Sequence, residues 1–179
     1  VIENVNGFDP DLIAGEDPEL SYRIRQSGIT ILRIDADMTL HDINMSRFAQ
    51  SFKRAFRTGY AYAEVGLRFR KNREKMWLRE LIRTTLSGLI PIFFPLTGII
   101  FYFLNLNEIG IISILLGFLF PFRVLLKIPG FARNFRISYS LSVLYCLHLV
   151  LNAQLQFMGV IRYVIGKIFK NPLTNRKLK

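Results

Sequence analysis

The sequence predicts an α/β segment over residues 1–43, followed by an α-helical membrane region built on a two-helix transmembrane hairpin. Three observations predict it. A capped amphipathic stretch near 17–28 runs into the β-rich hexamer Ile29-Thr30-Ile31-Leu32-Arg33-Ile34, the helix-then-strand order of an α/β domain. Two long apolar stretches, 84–104 and 109–126, stand back to back with only a short polar turn between them. Charge and hydrophobicity are also segregated: 51% of the residues are hydrophobic, yet the net charge is +11, with the basic residues gathered before and after the apolar part. The chain divides accordingly into 1–43, 44–83, 84–126 and 127–179.

In the first part, Asp17 is of the right type to cap a helix, with Pro18 at its first turn and Glu19 complementing the dipole. Leu20 and Ile24 share a face, and Gly28 is a natural stop. The hexamer that follows is predicted as a strand. Asp35-Ala36-Asp37 forms a polar strand exit, and a short extended piece ends at His41-Asp42.

In the second part, Ser46 is placed to cap a helix on which Phe48, Phe52, Phe56 and Tyr60 recur every four residues. Arg47, Lys53, Arg54 and Arg57 fall largely on other faces. Such a helix either lies at a membrane interface with its aromatic side down, or packs on a neighbouring domain. Between 47 and 83, eleven basic residues stand against Glu64, Glu74 and Glu80. Beside apolar spans this belt reads as a surface for anionic lipid rather than for nucleic acid. Trp77 stands where an interfacial anchor is expected.

The 84–104 stretch is uncharged over 21 residues. At about 1.5 Å per residue it reaches about 32 Å, enough for a hydrocarbon core of about 30 Å. After the turn Asn105-Leu106-Asn107-Glu108, the 109–126 stretch is interrupted by Arg123 alone, which can snorkel to headgroups. Gly88, Pro91, Pro95 and Gly98 share one face, and Gly110, Ser113, Gly117 and Pro121 share another. Small residues permit close helix approach in lipid, so these faces are expected to meet. The prolines are expected to kink the first span, their freed carbonyls being satisfied by neighbours. A third stretch, 137–161, is uncharged and long enough to cross. Crossing would export Arg162, Lys167, Lys170, Arg176, Lys177 and Lys179, against the positive-inside rule. Ser138, Ser142, Tyr145, Asn152 and Gln156 mark one of its faces as polar, so an interfacial or re-entrant helix is favoured. The chain then belongs to a multi-pass membrane protein, with residues 1–83 and the basic tail on the cytoplasmic side. The single cysteine, Cys146, excludes an intrachain disulfide, and no internal repeat is present.

The motif that bears on function lies in the first part. Gly7-Phe8-Asp9-Pro10-Asp11-Leu12-Ile13-Ala14-Gly15-Glu16-Asp17-Pro18-Glu19-Leu20-Ser21-Tyr22-Arg23 resembles the acceptor-side motif of the family 2 glycosyltransferases, in which a Gly-Phe-Asp loop precedes Glu-Asp and an amphipathic helix carrying an Arg. The resemblance covers residues 1–65. Asn6 departs from the usual first glycine of Gly-Gly-Phe, and the Gln-X-X-Arg-Trp signature of the processive synthases is absent.

The resemblance implies that residues 1–43 are the end of a GT-A catalytic domain, the donor half lying upstream of Val1. It implies Asp17 as catalytic base, since inverting transfer needs a group to take the acceptor hydroxyl proton. Asp9, Glu16 and Arg23 are implied to bind the acceptor, and His41 to touch a metal. A divalent cation, magnesium or manganese, is implied for the diphosphate leaving group. Asp35-Ala36-Asp37 has the form of the family's metal motif but follows Glu-Asp rather than preceding it. The implied partners are a nucleotide-sugar donor, a lipid-linked or surface-glycan acceptor, and membrane lipid. The chain alone is expected to be inactive. A non-catalytic membrane adaptor and a small transporter subunit, with Pro91 and Pro95 at a functional break, are the competing readings.

Overall fold

The computed structural model describes residues 1–32, 34–35 and 45–173, and every regular element among them is helical. A single 3-10 turn, Glu3–Val5, precedes α1 (Glu16–Gln26), α2 (Phe48–Arg68), α3 (Leu78–Phe103), α4 (Asn107–Leu125), α5 (Ile128–Phe135) and α6 (Tyr139–Ile168).

The expected α/β domain, and with it a GT-A remnant, is absent among the described residues; the stretch 36–44, with the expected extended piece to His41-Asp42, lies outside them. No strand or sheet occurs among the described residues, and Ile31, Leu32 and Ile34 of the β-rich run stand exposed. The reason is pairing. β propensity is expressed only where a neighbouring strand takes up the N–H and C=O groups and a covered face takes up the side chains. The described elements around this run are helices, whose backbone groups are already satisfied internally.

Two helix starts also differ from expectation. Gly15, in the left-handed region at φ 83°, occupies the N-cap of α1, while Asp17 sits inside the first turn with Glu16 and Glu19 and caps nothing. At α2 the N-cap is Arg47 rather than Ser46, and its backbone N–H donates to Gln50 Oε1 at 3.0 Å.

Helices α3 and α4 pack antiparallel through the small residues that mark their facing stripes. Gly98 and Gly110 lie against each other, and Gly117 lies on the Pro95 ring. The Thr97 and Ser113 hydroxyls are 2.8 Å apart across this seam, both within reach of the Phe94 carbonyl. Pro91 removes the N–H that would bond the Ser87 carbonyl. Gln154 Nε2, on α6, donates to that carbonyl at 3.3 Å.

Helices α2 and α6 run parallel, with Ser51 beside His148, Phe56 against Gly159 and Tyr60 edge-on to Tyr163. Gly59 and Gly159 allow the two backbones to touch: a Cβ at either would overlap the partner's main chain. Ser142, Asn152 and Gln156 of the α6 polar stripe are at least partly covered, while Ser138 and Tyr145 stand exposed, and Ser51, His148 and Asn152 form one hydrogen-bonded line between α2 and α6. The core joins Ala63 of α2, Leu81 of α3 and Val160 of α6.

Three segments, Leu78–Phe103, Asn107–Phe135 and Tyr139–Ile168, are long and apolar enough to cross a membrane. Their packing differs, however. The start of α6 meets α5, which follows the end of α4, with Tyr145 edge-on to Phe131 at 5.0 Å. Its later half meets the start of α3 through Phe157 on Gly88 and Val160 by Leu81. The start of α6 thus packs on α5, and its later half packs along α3 from Leu81 to Gly88 and, side by side, on α2.

Candidate functional site

The loop from Gly7 to Gly15 is clamped from below by arginines. Arg23 pairs with Glu19 through Nε at 2.9 and 3.0 Å, and its Nη groups donate to the carbonyls of Val5 and Gly7. Arg68, reaching up from α2, binds Asp9 Oδ2 at 2.7 Å and lies 3.5 Å from Glu19. Arg57 donates through Nε to the Ile13 carbonyl at 2.8 Å. Leu12 and Ile13 are buried beside this last contact, so the apolar centre of the loop is pinned as well as its charged edge.

The clamp contains an acid under stress. Burial pushes the Glu64 carboxyl up to about 7, against the opposing pull of Arg68 and helped by the charges of Asp9 and Asp11. Its nearest cation, Arg68 Nη2, is 3.7 Å away, and Oε2 has no hydrogen-bond partner among the described residues. For Asp9, burial also pushes upward, but the hydrogen bond and charge of Arg68, with the Asp11 N–H, outweigh it and hold the carboxyl below its usual range.

Above the clamp opens a cleft of about 610 Å³. One wall is the start of α1, carrying Glu16 and Asp17. The other is the face of α2 that presents Gln50, Lys53, Arg54, Arg57 and Thr58, and Tyr62 and Trp77 close the far side. Trp77 adopts φ 56° and lays its indole on Gly15, where a Cβ would come within 2.6 Å of two ring carbons. Tyr62 meets the indole edge-on at 5.2 Å. Trp77, expected as an interfacial anchor, here serves as a wall of the cleft.

Of the residues singled out from the sequence, Glu16 and Asp17 line this cleft, exposed and adjacent. Asp9 and Arg23 do not line it; they hold the loop beneath. His41 lies outside the described residues. No cluster of three or more His, Cys, Asp or Glu suited to a metal ion occurs among the described residues. The wall opposite Glu16 and Asp17 offers ammonium and guanidinium groups instead of further carboxylates, so no step is routed here through a metal.

Lys53, Arg54 and Arg57, taken from the sequence as part of a lipid-facing belt, form one wall of the cleft. Their signal was present: Gln50, Lys53, Arg54, Arg57, Thr58 and Ala61 fall at i, i+3, i+4, i+7, i+8 and i+11, one face of a helix. Spacing could not say that α1 would lie opposite. No family model, curated protein or solved structure matches the chain.

Proposed function

We propose that this chain forms the acceptor side of a membrane-bound inverting glycosyltransferase, which moves a sugar from a nucleotide-sugar donor to a lipid-linked or surface-glycan acceptor. The supporting observation is that Glu16 and Asp17 share one cleft with Lys53 and Arg54, next to helices apolar enough to enter a membrane. Asp17 takes the proton from the acceptor hydroxyl as that oxygen attacks the anomeric carbon. Glu16 orients the acceptor. Lys53 and Arg54 offset negative charge as the donor's diphosphate departs. Asp9 and Arg23 act at one remove, by holding the loop that sets the position of α1. In this reading the cleft faces the cytoplasm, in keeping with the basic residues between 47 and 83.

The test is Asp17→Asn, assayed for radiolabelled sugar transfer in membranes containing the protein. Loss of a general base lowers turnover by about 10²–10⁴-fold. The substitution is nearly isosteric at an exposed position, so helix content and detergent-solubilised elution should not change. Unaltered transfer by Asp17→Asn would overturn the assignment and favour an adaptor that keeps the Glu-Asp scaffold without chemistry.

A further inference from the structure

A second concavity lies on the other side of the α2 N-terminus. It encloses about 480 Å³ between Phe48 of α2, Phe135 of α5, and Leu141, Leu144, Tyr145 and His148 of α6. Its walls are aromatic and aliphatic. Phe135 and Tyr145 meet at 6.1 Å between ring centres, and Phe48 lies 6.1 Å from the His148 ring. His148 Nε2 is already engaged by Ser51 at 3.2 Å and Asn152 at 2.8 Å, so the floor offers an apolar ring face rather than a free nitrogen.

Two features say what the groove takes. Phe48 is 74% exposed at the start of α2, and its ring borders both this groove and the hollow beside it. The groove also has a charged exit. A smaller hollow of about 270 Å³ shares Phe48 and His148 with it and is bordered by Ser46 and Arg47. That hollow shares Met45 with the cleft of Glu16, Asp17, Lys53 and Arg54. An apolar trough thus leads past Arg47, which has no ion pair among the described residues, toward a basic cleft. It lies beside α5, which contributes Phe135 to its wall.

We infer that this groove is a binding site for an anionic lipid whose headgroup ends in a phosphomonoester, the hydrocarbon tail lying between Phe48, Phe135 and Leu144 and the terminal phosphate meeting Arg47. A guanidinium suits this role because it pairs with phosphate oxygens through two parallel N–H donors. A methylene-rich tail gains by leaving the bulk bilayer only where the groove wall is shape-matched, so selectivity comes from the headgroup and residence from the groove. The inference does not depend on sugar transfer, since retention of lipid is measured without a donor.

The experiment is native mass spectrometry of the protein released from detergent micelles doped equally with phosphatidic acid and phosphatidylcholine. The expected result is a one-lipid adduct enriched in phosphatidic acid. Arg47→Gln should lower that enrichment about tenfold, the scale of one charge-assisted hydrogen bond. Leu144→Trp should abolish the adduct by filling the trough; Leu144 is exposed, so the larger ring fits without disturbing the core. Leu141→Phe serves the same end should the first variant fail to fold. Equal retention of the two lipids, or an adduct unaffected by both groove fillers, would mean a general lipid annulus and overturn the site. So would a stable dimer mass whose formation Leu144→Trp prevents, since a second copy would then be the occupant.

Discussion

Gly15 couples a backbone torsion to the shape of the cleft. At φ 83° an L-residue loses about 1–2 kcal/mol, and a Cβ would also press on the Trp77 indole at 2.6 Å. Gly15→Ala is therefore expected to lower stability by about 1–3 kcal/mol. It should also shift the emission of Trp77, the one tryptophan of the chain, to longer wavelength as the ring is pushed toward water. Unchanged emission would show that the indole does not rest on Gly15. Glu64 is the second residue with a distinct signature. Its carboxyl is raised from 4.5 to about 7 in the folded chain, so between these values the folded state holds more protons than the unfolded. Stability then falls as pH rises through this window and levels off above about 7. Glu64→Gln should remove that fall, leaving the variant more stable than the parent by about 1–3 kcal/mol at pH 8 and level with it near pH 4. Thermal melts across that range check it. Asp9 has the opposite sign: held low by Arg68, it contributes stability above its ordinary pKa that is lost as pH falls through its depressed value.

Helix by helix, the contacts that matter are those where one element supplies what another lacks. Pro91 leaves the Ser87 carbonyl of α3 without its helical donor, and Gln154 of α6 supplies one. Gln154→Leu removes that donor and leaves the carbonyl bare in apolar surroundings, an expected cost of about 1–2 kcal/mol. Steric trapping or urea unfolding in bicelles measures it. A cost near zero would mean that the proline-bearing span satisfies itself. The α2–α6 crossing rests on main-chain contact at Gly59 and Gly159, which no larger residue permits. Gly159→Leu should separate the two helices, abolish the hydrogen bond between Tyr60 Oη and the Leu173 N–H at 2.9 Å, and expose the tail to protease. An unchanged digestion pattern would place the tail's anchorage elsewhere.

For the whole molecule, the relation to decide is how α6 sits on the hairpin. By length and composition it is a third segment able to cross, with α3 and α4. Tyr145 is tied to α5 beyond the end of α4, and Phe157 to Gly88 within α3. In sealed vesicles of a Cys146→Ser background, Tyr139→Cys and Lys170→Cys should be labelled by a membrane-impermeant maleimide from the same side, and Asn105→Cys from the other. Labelling of Tyr139→Cys and Lys170→Cys from opposite sides would show that α6 crosses. Cys146 is buried, so its removal is needed only to silence background after partial unfolding.

The helix that follows Gly15, though not its cap, the hairpin with its facing small-residue stripes and the polar face of α6 are all legible in the sequence, because each depends on a period or a length within a single element. The strand fails for the opposite reason: a β-rich hexamer carries propensity, but a strand exists only with a partner, and the described residues provide none. The same limit hid the cleft. Lys53, Arg54 and Arg57 were visible as one helix face, but the loop-clamping ties of Arg23, Arg57 and Arg68, which bring Asp17 opposite them, join residues up to 59 positions apart. Local pattern decided which faces were apolar, basic or small. The tertiary structure decided which faces meet, because pairing between distant segments is set by the shape and charge of both partners, and one segment's sequence holds only half of that information.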